Sequence, residues 1–260
     1  RLLSFTLDMD AGVLELELSE AIDTTSFEPT ALKLQAIETT DASSEMLVLA
    51  SATKVSFVRS PCSPRVTLAL APDDLEALRF MTTLTRDDHV YLVAAENAAT
   101  DLDAGNLIGP NALVPIGAAS ALNVMAVYAD ATCPSLISCA LDLDRTELIL
   151  VFDEPVRAAS LVADSVELRD TSSAANATAV VVLSTGSSAD ADAYALVVAL
   201  SDADAAAVKS RAPLGRSPNS TYCAIRTGAV VDCGAGGNLG SGNAIIASVT
   251  RALVVTPDST

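Results

Sequence analysis

The stretch LDMDAGVLELELSEAID, residues 7–23, decides the fold because a related stretch, LDLDRTELILVFDEPVR, occurs at residues 141–157. The two stretches align without a gap, and identical residues recur at the same offset as far as Leu34 and Leu168. Hydrophobic positions keep the same phase in both copies, so the match extends to the structural pattern. A long internal match of this kind indicates a tandem repeat.

The repeat predicts two domains, residues 1–129 and 130–260. Each of them is long enough to bury a core of its own. The chain opens without a start methionine or a signal peptide, and residues 258–260 resemble residues 130–132, which lead into the second copy. We therefore expect this chain to be a window of a longer tandem array.

Composition excludes several classes of function. The formal net charge is −18, and Lys and Arg clusters that could neutralise phosphates are lacking, which argues against a nucleic-acid partner. The sequence contains no uninterrupted apolar run long enough to span a bilayer, so we expect no membrane span. A strongly acidic chain of this kind suits a surface or extracellular protein, or one that recruits divalent cations.

Apolar and acidic residues alternate in VLELELS (13–19), which is the period of a half-buried strand. A second strand, SFTL (4–7), precedes it, and DMDAG between them supplies the residues of a hairpin turn. Further short strands follow, while only PDDLEALR (72–79) has a helical pattern. The fold class predicted is all-β: two tandem immunoglobulin-like antiparallel β-sandwich domains, each with one short helical turn. A β-solenoid is the alternative, but its coils repeat at much shorter periods.

Five cysteines suggest an oxidising compartment. Cys223 and Cys233 both lie in the second copy, and leucines replace both in the first, as expected of a bonded pair. Cys133 and Cys139 flank a short junction and either form a second disulfide or stay free. Cys62 is left over, and we expect any partner of this cysteine to lie outside this stretch of chain. The alternative is that all five are small buried apolar residues in a reducing cell.

Two N-x-[ST] sequons begin at Asn176 and Asn219. N-glycosylation at these residues requires the secretory path, so both sequons favour an extracellular or cell-surface location with N-glycans attached.

Calcium is the one ligand that the acidic residues suggest. Asp8 and Asp10, matched by Asp142 and Asp144, place two carboxylates on one turn. Other carboxylates expected near the domain ends are Glu20, Asp101, Asp130, Glu154 and Asp232. Oxygen ligands in this number could hold Ca²⁺ and stiffen a junction. The favoured alternative is that the paired aspartates cap the turn through hydrogen bonds to its backbone, so no cofactor is required.

Residues for catalysis are lacking in the sequence. His89 is the single histidine, which removes His-dependent triads and multi-histidine metal sites. Cys-x-x-Cys, P-loop and nucleophile-elbow motifs are missing, and the glycine-rich run 234–242 is more typical of a loop than of a phosphate cradle. We expect a protein that is not an enzyme.

The repeated pattern resembles a known family. LDxD, an apolar alternation, FDEPV in the second copy (152–156) and a later helix with acidic residues are similar to the immunoglobulin-like repeats of algal cell-surface proteins. These include the mastigoneme proteins of flagellar hairs and the sexually induced proteins of diatoms, and related repeats occur in bacterial surface adhesins. LSEAI (18–22) in the first copy departs from the pattern because it lacks the proline.

The resemblance implies a structural extracellular protein whose modules build a fibre, such as a flagellar hair shaft, with copies of itself or related surface proteins as partners. The alternative is an adhesin, in which loops recognise a glycan or a protein and the other modules form a stalk. The loops expected to bind are residues 169–180 and 209–222, the second of which carries Lys209, Arg211 and Arg216.

Overall fold

The protein divides into two compact units, Arg1–Ala131 and Thr132–Cys233 with residues 243–258. A computed structural model describes residues 1–39, 45–51, 53–57, 62–81, 84, 89–102, 110–184, 191–233 and 243–258. Each unit has its own sheets and its own hydrophobic core.

The first unit consists of short strands and one helix. Their bounds are β1 Leu2–Asp8, β2 Val13–Asp23, β3 Leu32–Gln35, β4 Met46–Val48, β5 Lys54–Phe57, β6 Cys62–Ala69, α1 Pro72–Phe80, β7 Tyr91–Ala94, β8 Leu122–Asn123 and β9 Ala126–Tyr128. They form two sheets, with the orders β5-β6-β2-β1-β9 and β4-β3-β7-β8. The strands pair antiparallel, except that β9 runs parallel to β1.

Strand β2 shows why these residues form a half-buried sheet. Leu14, Leu16 and Leu18 are buried, while Glu15 and Glu17 between them are exposed. Successive side chains of a strand point to opposite faces, so this alternation places one row of leucines in the core. Residues of both sheets share that core, among them Phe5, Leu16, Leu34, Leu68 and Leu92.

The second unit repeats this order of elements, except that its described residues contain no counterpart of β5. Its strands and helix are β10 Leu136–Asp142, β11 Glu147–Val156, β12 Val166–Arg169, β13 Val180–Val182, β14 Ala193–Ala199, α2 Asp202–Ser210, β15 Tyr222–Ile225 and β16 Ser248–Thr256. They join in one sheet of order β13-β12-β15-β16-β10-β11-β14. Residues 248–251 of β16 pair antiparallel with β15, and residues 252–256 pair parallel with β10. One long strand therefore takes the place of both β8 and β9 of the first unit.

Short 3-10 turns connect several of these strands. They span Pro29–Ala31, Glu96–Ala98, Ala158–Ser160, Ala163–Ser165, Ala174–Asn176 and Pro218–Ser220. Sheets dominate the described chain, in which α1 and α2 are the two α-helices. The all-β class predicted from the sequence is confirmed.

A buried aspartate fastens each helix to a neighbouring loop. In α1, Asp74 Oδ2 accepts hydrogen bonds from the backbone N–H of Ala50 at 2.8 Å and from Thr53 Oγ1 at 3.3 Å. In α2, Asp204 accepts hydrogen bonds from the backbone N–H and the hydroxyl of Ser184 at 3.1 Å. The two helices are thus attached by the same device at matching positions of the repeat.

Candidate functional site

The hairpin turn of each unit is built around its first aspartate. Asp8 Oδ1 accepts hydrogen bonds from the backbone N–H groups two and three positions later, at 3.0 and 2.8 Å. Asp142 Oδ1 makes the same two bonds at 3.0 and 2.9 Å. Asp10 and Asp144 are exposed, and Asp10 Oδ1 accepts a hydrogen bond from the N–H of Ala131 at 3.1 Å. These contacts are the turn capping that the sequence favoured over calcium.

An ion pair closes the end of each unit. Arg79, in the last turn of α1, lies 3.0 Å from the carboxylate of Asp130, whose side chain is almost fully buried. Lys209, in the last turn of α2, lies 3.0 Å from the carboxylate of Asp258. In each unit, the helix therefore holds the segment that follows the last strand. The ion pair is present in both units, although the cation is arginine in the first and lysine in the second.

A second repeated contact, which we call the Asp–Asn clasp, joins Asp101 to Asn111 and Asp232 to Asn243. In the first unit the asparagine donates its backbone N–H at 2.6 Å and its side-chain Nδ2 at 2.8 Å. In the second unit both distances are 2.9 Å. The side-chain hydrogen bond from Asn111, with help from its backbone N–H, lowers the pKa of Asp101. Neither asparagine was predicted from the sequence, although each stands at a similar distance after its aspartate.

The clasp lies beside a glutamate in both units. In the first unit, a cavity of about 170 Å³ is lined by residues that include Glu20, Asp101 and Asn111. In the second unit, a carboxylate oxygen of Glu154 lies within 4.8 Å of one of Asp232, and both residues are buried. The second unit thus brings together two of the carboxylates that the sequence placed near a domain end, and in the first unit the matching two residues line one cavity.

These groups offer the hard oxygen atoms that Ca²⁺ prefers. The clasp aspartate uses both carboxylate oxygens to accept hydrogen bonds from the asparagine, and a carboxylate oxygen has lone pairs for a further ligand. Calcium at Asp8, Asp10, Asp142 and Asp144 stays the less favoured of the two interpretations drawn from the sequence.

The cysteine pairs expected from the sequence are not formed. Cys133, Cys139, Cys223 and Cys233 are free thiols, which corrects the Cys223–Cys233 and Cys133–Cys139 disulfides. Cys139 and Cys223 instead both lie in the hydrophobic core of the second unit. The physical reason is that β10 and β15 direct these two residues into one core, whereas nearness along the chain guided the prediction. The side chain of Cys62 lies outside the described residues.

Cys233 sits apart from that pair. Its backbone N–H donates to the carbonyl of Pro155 at 2.8 Å, and burial, together with the charge of Asp192, raises the pKa of its thiol to about 12. A thiol with so high a pKa is a poor nucleophile at neutral pH.

Both sequon asparagines are exposed. Asn176 ends the 3-10 turn Ala174–Asn176, and the hydroxyl of Thr178 donates to the carboxylate of Asp170. Asn219 accepts a hydrogen bond from the guanidinium of Arg251 at 3.2 Å. Glycans at Asn176 and Asn219 stay a prediction, and neither side chain is buried in a way that opposes one.

The three basic residues of segment 209–222 have different roles. Lys209 belongs to the end-of-unit ion pair with Asp258. Arg211 donates to the carbonyl of Val180, and Arg216 donates weakly to the carbonyl of Lys209 at 3.4 Å. Arg211 and Arg216 are both exposed, so these two residues remain the accessible charges of the predicted binding loop.

Comparison with known proteins adds no relative. Neither protein-family models nor curated proteins gave a match to this chain. His89 is exposed. Among the described helices, none has the length and apolar character needed to cross a membrane.

Proposed function

We propose that this chain is a structural part of an extracellular fibre, built from immunoglobulin-like modules as in a flagellar hair shaft. The observation that carries the proposal is that both units form the same supporting contacts from different sequences. The aspartate-capped turn, the buried aspartate of the helix, the end-of-unit ion pair and the Asp–Asn clasp all occur twice.

These repeated contacts fix the shape of each unit. Each of them joins a helix, a turn or a loop to the sheet framework, and each is kept where the surrounding residues differ, as with Arg79 and Lys209. A protein whose modules are used for length needs this property, because every module must present the same ends to its neighbours.

An exposed apolar surface favours self-association. Leu3 of β1 and Met125, next to β9, are 44% and 68% exposed, and the matching residues Ile137 of β10 and Leu253 of β16 are 57% and 68% exposed. We call the two residues of each unit the apolar ridge of that unit. Apolar patches that stay exposed are typical of contact surfaces, and these residues recur at equivalent sites of the two units. The ridge therefore supports lateral packing of chains in a fibre.

Electron microscopy of the native material that contains this chain tests the fibre. We expect a regular filament whose axial rise matches a whole number of these units. Isolated flexible rods that end in a distinct head would contradict the proposal and favour the adhesin.

A pair of variants tests the ridge. Met125→Ser with Leu253→Ser should weaken self-association, measured by sedimentation velocity over a range of concentrations. Val114→Ser with Val48→Ser is the matched control, because these valines are 61% and 56% exposed but lie outside the ridge. Equal behaviour of the two double variants would remove the ridge from the proposal.

The adhesin is the second candidate, and the exposure of Arg211 and Arg216 favours it. Both charges stand on an otherwise acidic protein and could contact an acidic glycan or protein. Arg211→Ala with Arg216→Ala should abolish binding of the chain to cells if the adhesin is correct, and should leave filament assembly unchanged. Lys209 is kept in this variant because its ion pair holds the end of the unit.

A further inference from the structure

One outer face of the second unit carries arginines, although the chain is strongly acidic. Leu168 of β12 and Cys223 of β15 belong to the core, and side chains alternate between the two faces of a strand. Arg169 and Tyr222, which are next to them in sequence, therefore lie on the outer face and stand directly opposite each other. Arg251 of β16 stands opposite Tyr222, so it shares this face.

Arg226 adds a third cation to the same face. It directly follows β15, and its guanidinium Nε donates to one carboxylate oxygen of Glu167 at 3.0 Å. The Nε of Arg169 donates to the other oxygen at 2.9 Å. Glu167 is the one acidic residue in the described strands β12, β13, β15 and β16. This outer face therefore holds three arginines and a single carboxylate, and we call Arg169, Arg226 and Arg251 the arginine face.

The arginine face is open to solvent. The side chain of Arg226 is 60% exposed, and Arg251 is exposed as well. A guanidinium carries five N–H donors, of which Arg226 directs those on Nε and Nη2 at Glu167. Arg251 directs Nη1 at Asn219, 3.2 Å away. Guanidinium groups bind carboxylates through two parallel hydrogen bonds, so a partner that presents exposed aspartates or glutamates fits this surface.

The fold does not require these arginines. The first unit forms the matching sheet from β4, β3, β7 and β8, in which Gln35 and Asn123 stand opposite Tyr91, at the positions of Arg169 and Arg251. An alanine stands at the position of the third arginine, and the one cation in these described strands is a lysine. The arginine face is therefore a property of the surface of the second unit.

We propose that the arginine face binds an acidic surface of a second copy of this chain. The proposal rests on the fibre proposed above and names a charged contact within it. The chain has 15 lysines and arginines against 33 aspartates and glutamates, and three of those 15 cations lie on this one face. The remaining surface of a neighbouring copy therefore carries more negative than positive charge, which is complementary to the arginines.

A contact between unlike surfaces leaves one arginine face and one acidic surface unused after each copy is added. Further copies then add in the same way, and the assembly is an open filament unless the rotation between copies closes it into a ring. The attraction also offsets part of the repulsion between two chains of net charge −18. Burial of apolar side chains alone does not remove that repulsion.

Sedimentation velocity of the whole chain over a range of concentrations tests the contact. Arg226→Gln with Arg251→Gln removes two charges from the arginine face, and Lys54→Gln with Arg65→Gln is the matched control. The control residues are exposed in the first unit, so the two double variants carry the same net charge and differ in where charge was removed. We expect the arginine-face variant to self-associate roughly tenfold more weakly than the control at about 0.1 M salt.

A second variant guards against a loss of folding in the first. Arg251→Glu reverses one charge of the arginine face and leaves the hydrogen bonds of Glu167 intact, because those come from Arg169 and Arg226. Lys54→Glu is its control. Thermal melts of all variants show that they are folded, and Arg251→Glu should again self-associate more weakly than its control.

Equal self-association of the arginine-face variants and their controls would overturn the proposal, as would a wild-type chain that stays monomeric throughout. Dextran sulfate is the probe for a different partner. If the arginine-face variant loses binding to dextran sulfate but self-associates like its control, the face belongs to an acidic polysaccharide and the proposal is wrong. A filament seen by electron microscopy together with equal self-association would remove this contact and keep the fibre.

Discussion

Replacing Asp74 tests whether a buried carboxylate fastens each helix to its loop. In Asp74→Ala, the N–H of Ala50 loses a charged acceptor at 2.8 Å and the hydroxyl of Thr53 loses a longer contact at 3.3 Å. A hydrogen bond to a charged group contributes about 1.5–3 kcal/mol, and the longer contact about 0.5–1 kcal/mol. We expect a loss of about 3 kcal/mol in the free energy of unfolding, or about 10 °C in the Tm of a unit this size.

The assay combines urea denaturation with hydrogen exchange at the amide of Ala50. Asp73→Ala is the matched control, because Asp73 is the preceding residue in the first turn of α1 and is exposed. Asp74→Asn should cost about half as much as Asp74→Ala, since the amide oxygen still accepts one hydrogen bond. Equal losses for Asp73→Ala and Asp74→Ala, or unchanged protection of the Ala50 amide, would refute the reasoning.

Three further predictions concern single side chains. Thr146 has a φ of 56°, a backbone conformation that strains a residue with a side chain and that glycine adopts freely. Thr146→Gly should therefore raise the free energy of unfolding by about 0.5–1 kcal/mol in urea denaturation. A decrease would contradict strain at this turn. Burial raises the pKa of Glu167, but hydrogen bonds and charge from Arg169 and Arg226 outweigh it and leave the pKa below 4.5. The stabilisation is therefore present above pH 4.5 and is lost as the pH falls through the lowered pKa, so Glu167→Gln should reduce the acid sensitivity of the second unit in thermal melts. Asn111→Ala should raise the pKa of Asp101 in a carboxyl NMR titration. The rise should stop short of the usual value, because the backbone N–H of residue 111 still donates to the carboxylate. An unchanged pKa would show that the side-chain hydrogen bond is not the main cause of the lowered pKa.

The strands could be predicted from the sequence because their hydrophobic pattern involves residues that are neighbours in the chain. The alternation of Leu14 and Leu16 with Glu15 predicts a half-buried strand, and β2 contains all three. The acidic start and Arg79 at the end of α1 mark a helix within a residue of its observed bounds. The turn at Asp8 follows from the short reach of an aspartate to its own backbone. Each of these features depends on residues that are neighbours in the chain.

The contacts between residues far apart in the chain could not be predicted in this way. Cys139 and Cys223 share a core only because two strands far apart in the chain face it, which spacing along the sequence does not reveal. Lys209 was assigned to a binding cluster because Arg211 stands near it, yet its charge is used by Asp258. The order of the repeat contained a usable signal, since Arg79 and Asp130 stand at the matching positions of the first copy.

The parallel pairing of the first and last strands determines how a unit responds to mechanical load. Tension on the chain enters the second unit at the start of β10 and leaves it at the end of β16, and these two strands pair side by side at four positions. Because the strands are parallel, pulling on those opposite ends slides one past the other and loads the pairs together. Hairpin neighbours pulled from one end would instead open pair by pair, at lower force. The first unit has the same arrangement in β1 and β9, at three positions. Both units thus place their longest-range pairing where a stretched chain would first yield.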